Sequence, residues 1–337
     1  MPEPGRDLAL LPKAHLHLHF TGSLRLSTLH ELAAHHGQRL PEALTAGWPP
    51  QLSGADERGW FRFQRLYDAA RACVQGEADL RRLVREAAED DAAEGSRWLE
   101  LQVDPTSYAA RVGGLTPALE IVLDEAAACS RELPLGVGVI VAASRIRHPL
   151  DARTLARLAA RHTGAVVGFG LSNDERRGVT EEFAPAFRIA RDAGLPGVPH
   201  AGELLGPRAV SQTLDALAPT RLGHGVRAVE SDIVLQRVLD AGVALEVCPG
   251  SNIALGVYPD LEHVPLRRLY DAGATVALGA DDPLLFGQRL VAQYENARTL
   301  GFADEELAEL ARRSVRASFA PDEVKAQTLR DIDAWLA

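Results

Sequence analysis

Cysteine is scarce in this chain of 337 residues, and its scarcity excludes a disulfide-stapled domain. The three cysteines, Cys73, Cys129 and Cys248, lie far apart and form no CxxC pair. An odd number of widely spaced cysteines is a poor disulfide framework. We therefore expect a reducing, cytoplasmic environment.

Long apolar runs and basic stripes are also absent. The longest apolar run, residues 137–143 with one glycine inside it, suits a buried strand and is far too short to span a bilayer. Residues 1–13 contain no apolar signal-peptide core. The net charge is -10, and basic residues are dispersed among acidic ones. This pattern favours neither a nucleic-acid partner nor a membrane partner.

No Ser/Gly linker, low-complexity segment or sequence repeat divides the chain. A length of 337 residues suits two domains or one large α/β barrel, and 46% apolar residues are enough for a substantial core. We interpret residues 1–337 as one domain. The sequence leaves open whether the chain forms a homo-oligomer.

Short apolar segments alternate with helical patterns along most of the chain, and continuous apolar runs are typical of parallel strands buried on both faces. The pattern predicts an α/β fold, a single (β/α)₈ TIM barrel with additional helices after strand 1 and at the C-terminus. The strand candidates are residues 13–19, 98–103, 135–142, 165–170, 197–200, 221–223, 244–247 and 275–278. The helix candidates between later strands are 117–130, 151–161, 181–193, 207–217, 230–241 and 264–272, and the C-terminal ones are 288–300, 304–317 and 321–337.

Histidine and acidic side chains lie at the carboxyl ends of four predicted strands, where a barrel of this kind places its active site. A lone strand-end histidine is usually a core residue, and adjacent aspartates before a proline often form a turn. Burying so many charges and imidazoles together is costly unless they pair or bind a metal. These residues are His17, His19, His200, Glu203, His224, Asp281 and Asp282.

A divalent metal with nitrogen and oxygen ligands is the economical explanation for this set. His15, His17 and His19 alternate along the first strand and are expected to share one face. His17 and His19, with His200 and Asp281 from other strands, suit Zn²⁺ best, and Fe²⁺ or another divalent ion stays open. Such a metal lowers the pKa of a bound water toward about 7.

The remaining strand-end side chains suit acid–base chemistry. Glu203 stands three residues after His200 and is free to act as a general acid or base. His224 lies between two glycines, where it approaches the metal without ligating it. Asp282 is placed to orient a water. Together these positions predict a hydrolytic site.

Five stretches of the chain resemble the adenosine deaminase family, in the family's order. They are residues 12–23, 200–203, 221–226, 246–252 and 279–283. The resemblance implies Zn²⁺ on His17, His19, His200 and Asp281. It implies that Glu203 protonates N1 of a 6-aminopurine, that His224 orients the attacking hydroxide, and that Asp282 binds the attacking water or the N7 edge. The products would be ammonia and a 6-oxopurine.

The departures from the family pattern concern the substrate. Thr21 stands where the family has an acidic residue that contacts the ribose 5′-hydroxyl, so discrimination for a plain 5′-hydroxyl would weaken. Asn173 stands where adenosine deaminases have a glycine whose backbone touches N3, and Gly170 replaces an aspartate. We expect these three positions to contact substrate. His15 replaces a usual glutamate and is expected inside the barrel, below the metal.

These departures favour a purine nucleoside whose 5′ end is extended. The family substrate that fits is 6-aminodeoxyfutalosine, a menaquinone-pathway intermediate with an aromatic keto-acid tail, and the cluster Trp60, Phe61 and Phe63 would form a lid over that tail or belong to the core. Adenosine and adenine stay open as alternatives. A different metal-dependent amidohydrolase and an inactive purine-binding barrel are more remote ones.

Overall fold

Eight parallel strands form one sheet in chain order in the computed structural model, which describes residues 5–54 and 56–337. The backbone amides of His19 and Asp281 each donate a hydrogen bond to the other segment, which joins the first strand to the end of the last. The sheet is thereby closed into a (β/α)₈ barrel, as the strand–helix alternation predicts. The strands are β1 (Lys13–His19), β2 (Ser96–Val103), β3 (Gly136–Ser144), β4 (Val166–Ser172), β5 (Gly197–Ala201), β6 (Arg221–His224), β7 (Ala244–Val247) and β8 (Val276–Leu278).

Helices surround the barrel, and additional ones follow β1 and β8, which confirms the expected architecture. Those between β1 and β3 are α1 (Leu26–His35), α2 (Glu57–Ala72), α3 (Glu77–Ala93), α4 (Ala109–Val112) and α5 (Leu115–Glu132). Those between β3 and β8 are α6 (Pro149–Ala160), α7 (Ala184–Asp192), α8 (Pro207–Leu217), α9 (Asp232–Asp240), α10 (Pro249–Ala254) and α11 (Leu266–Asp271). Those after β8 are α12 (Pro283–Phe286), α13 (Leu290–Thr299), α14 (Asp304–Ala317) and α15 (Asp322–Leu336).

The outer helices are held by apolar faces at helical spacing. In α14, for example, Leu307, Leu310 and Ala311 are fully buried, and the helix packs on β1 and β8. Such burial contributes roughly 25 cal/mol per Å² of apolar surface, which holds the helical layer against the strands. Among the helices of the described ranges, none is both long enough and apolar enough to cross a membrane.

Strand β1 departs from the expected alternation. His15 pairs with Leu99 on β2, but Leu18 pairs with Leu101, so β1 holds one extra residue between the two pairs. An extra residue of this kind shifts the following side chains to the opposite face. His15 therefore faces Asp91 on α3, with Nδ1 2.9 Å from its carboxylate. The expectation that His15 shares a face with His17 and His19, below the metal, is wrong.

Candidate active site

Four donor atoms from three strand ends converge at the carboxyl end of the barrel. Oδ1 of Asp281 lies 3.4 Å from Nε2 of His17 and 3.2 Å from Nε2 of His19. Nε2 of His19 lies 3.2 Å from Nε2 of His200. Nε2 of His17 is buried, and nothing in the described parts of the chain hydrogen-bonds to it. Three imidazole nitrogens and one carboxylate oxygen at this spacing fit a divalent cation, Zn²⁺ best.

A buried carboxylate behind the donor set orients His17. Oε2 of Glu246 lies 2.7 Å from Nδ1 of His17, and its other oxygen accepts a 2.6 Å hydrogen bond from Nε of Arg221. Burial acts to raise the pKa of Glu246, but Arg221 and His17 outweigh burial and hold that pKa below its usual range. An ionised Glu246 keeps the proton of His17 on Nδ1, which leaves Nε2 with a free lone pair for a metal.

The Asp281 side chain is oriented in the same way from the other side. Ser251 donates a 2.6 Å hydrogen bond to Oδ2 of Asp281, which leaves Oδ1 to face the imidazoles. Burial acts to raise the pKa of Asp281, but the neighbouring imidazoles of His17 and His19 outweigh burial and hold the pKa well below its usual range. Asp281 and His224 both have left-handed backbones with φ 61°, a strained conformation for these residue types that is concentrated at functional sites.

Glu203 and Asp282 lie buried beside the donor set without joining it. Burial, and next the charge of Asp281, raise the pKa values of both carboxyls well above their usual range, which favours their protonated forms. Oε2 of Glu203 lies 3.6 Å from Nε2 of His224. A Cβ at residue 22 would lie 1.7 Å from Oδ1 of Asp282, so only Gly22 leaves room for that carboxyl. These two carboxyls can therefore donate protons next to a metal, and each can accept a proton once it has given up its own.

The segment that carries Glu203 is held by a second buried carboxylate. Glu175, in the loop after β4, accepts hydrogen bonds from the backbone amides of residues 203, 204 and 205, at 3.2, 3.0 and 2.9 Å. These amides have no strand partner, because β5 ends at residue 201. Glu175 thus fixes the position from which the Glu203 side chain reaches the site.

A cavity of about 370 Å³ opens above these groups, a size typical of small-molecule sites. His19, His200, Glu203, His224, Asp281 and Asp282 reach its floor. The predicted substrate residues Thr21 and Asn173 line the wall, whereas Gly170 lies inside β4 and does not line the cavity. Asn173 has φ 79°, the left-handed conformation that a glycine adopts readily and that asparagine tolerates.

The aromatic cluster of Trp60, Phe61 and Phe63 lies partly in the core and partly at the mouth of the cavity. The rings of Trp60 and Phe63 are buried with centroids 5.0 Å apart, and Phe63 stacks on Phe286. Phe61 is 63% exposed at the mouth. All three cluster members border the cavity. Trp60 and Phe63 therefore belong to the core and to the cavity wall at once.

The sequence patterns did not identify four residues that organise the site. Glu246 and Ser251 lie within the stretch 246–252, so their place in a quoted motif was an available signal. Glu175 lies two residues after Asn173, so its nearness to a predicted substrate residue was a signal. Tyr108, whose hydroxyl lies 2.5 Å from Oγ1 of Thr21, follows no recognisable motif.

The fold and the donor set define a metal-dependent barrel hydrolase. The adenosine deaminase family profile matches residues 12–335 of the chain. A Streptomyces virginiae protein, provisionally named adenosine/adenine deaminase, is 63% identical over 99% of both chains. The chain belongs to the adenosine deaminase family and is a hydrolytic deaminase that acts on an adenine moiety.

Solved structures agree with this assignment. The crystal structure of adenine deaminase from Arthrobacter aurescens superposes with a TM-score of 0.89 at 30% identity, covering 96% of this chain and 99% of the other. Arabidopsis ADAL, solved in complex with IMP, gives a TM-score of 0.84 at 26% identity, covering 97% of each chain. Both likenesses extend over almost the whole barrel.

Proposed function

We propose that this protein catalyses the zinc-dependent hydrolytic deamination of a 6-aminopurine nucleoside with an extended 5′ end, and that its preferred substrate is 6-aminodeoxyfutalosine. The reaction adds water at C6, breaks the bond between C6 and the amino nitrogen, and releases ammonia and the 6-oxopurine. It would place the enzyme in menaquinone biosynthesis. The buried, unpaired thiols of Cys73, Cys129 and Cys248 agree with a cytoplasmic location.

Zn²⁺ held by His17, His19, His200 and Asp281 would supply Lewis acidity that makes water a better nucleophile. The other steps belong to the protein. A protonated Glu203 donates to N1 of the purine, which makes C6 more electrophilic. His224 and Asp282 hold the attacking water against C6. The protonated Asp282 gives its proton to the departing amino group and takes one from the attacking water. The proton that remains on the new oxygen at C6 returns to Glu203 as the 6-oxopurine forms.

The surroundings of Thr21 carry the proposal of a 5′ extension. Thr21 is neutral, and its hydroxyl is hydrogen-bonded to Tyr108 rather than offering a charged acceptor to a ribose 5′-hydroxyl. The cavity continues past this pair to the rings of Tyr67, Trp60 and Phe63. An aromatic wall of this kind suits an aromatic tail, because stacked or edge-on ring pairs add about 0.5–1.5 kcal/mol beyond their buried area.

Free adenine is the second candidate, because the Arthrobacter aurescens protein is an adenine deaminase and is 30% identical to this chain. Adenine would leave the space beyond Thr21 empty. A 6-aminopurine without ribose therefore gains nothing from the Tyr67 and Tyr108 side of the cavity.

An ultraviolet assay of zinc-loaded protein tests the proposal, since conversion of a 6-aminopurine to a 6-oxopurine changes its absorbance. The kcat/KM for 6-aminodeoxyfutalosine is expected to exceed those for adenosine and adenine by orders of magnitude. A Thr21→Asp variant should lose much of that preference, because a carboxylate repels the acidic tail and accepts a hydrogen bond from a 5′-hydroxyl. Equal or better turnover of adenosine or adenine by the wild type would contradict the proposal.

A further inference from the structure

Arg71, at the end of α2, carries donor groups that the protein does not use. Its side chain borders the cavity and is 28% exposed. Nη1 donates a 3.0 Å hydrogen bond to Asp68, whose own side chain is 62% exposed. Nε is buried and has no hydrogen-bond partner within the described ranges. A buried donor left unpaired is destabilising, so Nε at a cavity wall calls for an acceptor supplied by a ligand.

Arg71 lies on the side of the cavity where the 5′ end of the substrate is expected. Its guanidinium carbon lies 4.9 Å from the centroid of the Tyr67 ring. Tyr67 borders the same cavity as Thr21, the residue expected at the ribose 5′ carbon. Thr21, Tyr67 and Arg71 therefore line one cavity, with the Tyr67 ring against Arg71. A 5′ substituent that passes over Tyr67 would bring its far end to the guanidinium.

The two other arginines that border the cavity are already paired at the surface. Arg147 donates from Nε to Asp151 at 3.2 Å, and its side chain is 49% exposed. Arg177 lies 3.3 Å from Glu57, and its side chain is 55% exposed. Solvent screens both charges, and exposed pairs of this kind contribute about 0–1 kcal/mol. Arg71 is the arginine of the cavity with a desolvated, unpaired donor.

We propose that Arg71 forms an anion subsite that binds the carboxylate or phosphate at the end of a 5′-extended purine nucleoside. The Nε and Nη2 donors of an arginine lie on one edge of the planar guanidinium, which matches the two oxygens of either anion. Tyr67 supplies the apolar surface between the ribose and the charge. This subsite rests on the proposed function for its carboxylate ligand, and it extends that function by naming the residue that selects an anionic tail.

The test compares two ratios of kcat/KM in zinc-loaded enzyme: 6-aminodeoxyfutalosine over adenosine, and AMP over adenosine. Arg71→Gln is expected to lower one or both ratios by about tenfold to a hundredfold, the range for loss of a charge-assisted hydrogen bond. The ratio that falls further identifies carboxylate or phosphate as the preferred anion. Arg71→Lys keeps a point charge without the planar edge and should lower the same ratio by less.

Arg65→Gln is the matched control, because Arg65 is exposed on the same helix and does not border the cavity. It removes the same charge and should leave both ratios at the wild-type value. Ratios within twofold of wild type in a folded Arg71→Gln variant, or an equal fall in Arg65→Gln, would overturn the subsite. If Arg71→Gln does not fold, Arg71→Lys carries the test with the same criteria.

The experiment distinguishes failure of the Arg71 subsite from failure of the proposed substrate. If wild-type enzyme prefers adenosine or adenine, the proposed substrate is wrong. Competitive inhibition of adenosine turnover by AMP and by the futalosine product then tests Arg71 alone. An inhibition constant that rises about tenfold or more in Arg71→Gln, and not in Arg65→Gln, supports the subsite, and an unchanged constant overturns it.

Discussion

Replacement of Glu246 by glutamine is expected to weaken zinc binding while leaving the barrel folded. Both neighbours of Glu246 require acceptors, since Arg221 donates to one oxygen at 2.6 Å and His17 Nδ1 lies 2.7 Å from the other. Glutamine offers one oxygen and one NH₂ group. Arg221 is permanently charged and takes the oxygen, so the NH₂ group faces His17. His17 must then accept at Nδ1 and carry its proton on Nε2, the nitrogen that faces the metal site.

The expected loss of zinc affinity follows from that change of tautomer in His17. Loss of such a supporting contact typically costs about 10–100-fold in metal affinity or activity. Zinc affinity is measured by competition with a chelator of known affinity, and thermal unfolding is followed on the same samples. We expect an apparent Kd for zinc that is about 10–100-fold higher in Glu246→Gln, with kcat unchanged or reduced less at saturating zinc.

Glu100→Gln is the control, because Glu100 is buried and pairs with the same arginine but contacts none of the four donor residues. This variant should lower the unfolding temperature, since it leaves a buried charge less well paired, and should keep wild-type zinc affinity. Wild-type zinc affinity in Glu246→Gln, or an equal loss in Glu100→Gln, would refute the tautomer argument.

Four further predictions concern the surrounding groups and the metal. Glu203→Gln should retain zinc and lower kcat by about 10²–10⁴-fold because the proton donor is lost, and turnover near the wild-type rate would contradict that role. Ser251→Ala should raise the zinc Kd by roughly fivefold to tenfold through loss of the hydrogen bond that orients Asp281, and chelator competition checks this. Glu175→Gln should lower kcat/KM at unchanged zinc content, whereas the exposed Glu182→Gln should not; equal activities would show that the amides of residues 203–205 need no charged acceptor. Removal of zinc by a chelator should abolish deamination, and added zinc should restore it.

Most of the barrel follows from local patterns in the sequence. The predicted strands at residues 221–223, 244–247 and 275–278 lie within one residue of the observed bounds, because short apolar runs buried on both faces are flanked by glycine, proline or charged residues. Strand ends then place the donors, since parallel strands in a barrel all end at one rim. His17, His200 and Asp281 meet for that reason.

Features that depend on two distant segments could not be predicted in this way. The extra residue in β1 leaves the His-X-His pattern intact and is visible only in the pairing with β2. The predicted position of His15 was therefore wrong. The place of Glu246 in a family motif signals a role, but the two partners of its carboxylate, Arg221 and His17, are visible only in the fold. The proposed role of Arg71 also depends on tertiary structure, because it rests on a buried donor that finds no partner among the described residues.

A direct competition assay tests the central claim most sharply. Zinc-loaded protein receives adenine, adenosine and 6-aminodeoxyfutalosine together at equal concentration, and chromatography follows the three products over the first few per cent of turnover. The ratio of initial rates equals the ratio of kcat/KM values, independent of enzyme concentration. Faster formation of the 5′-extended 6-oxopurine by orders of magnitude is the predicted result. Faster formation of inosine or hypoxanthine would contradict the proposed substrate and point to a purine-salvage deaminase.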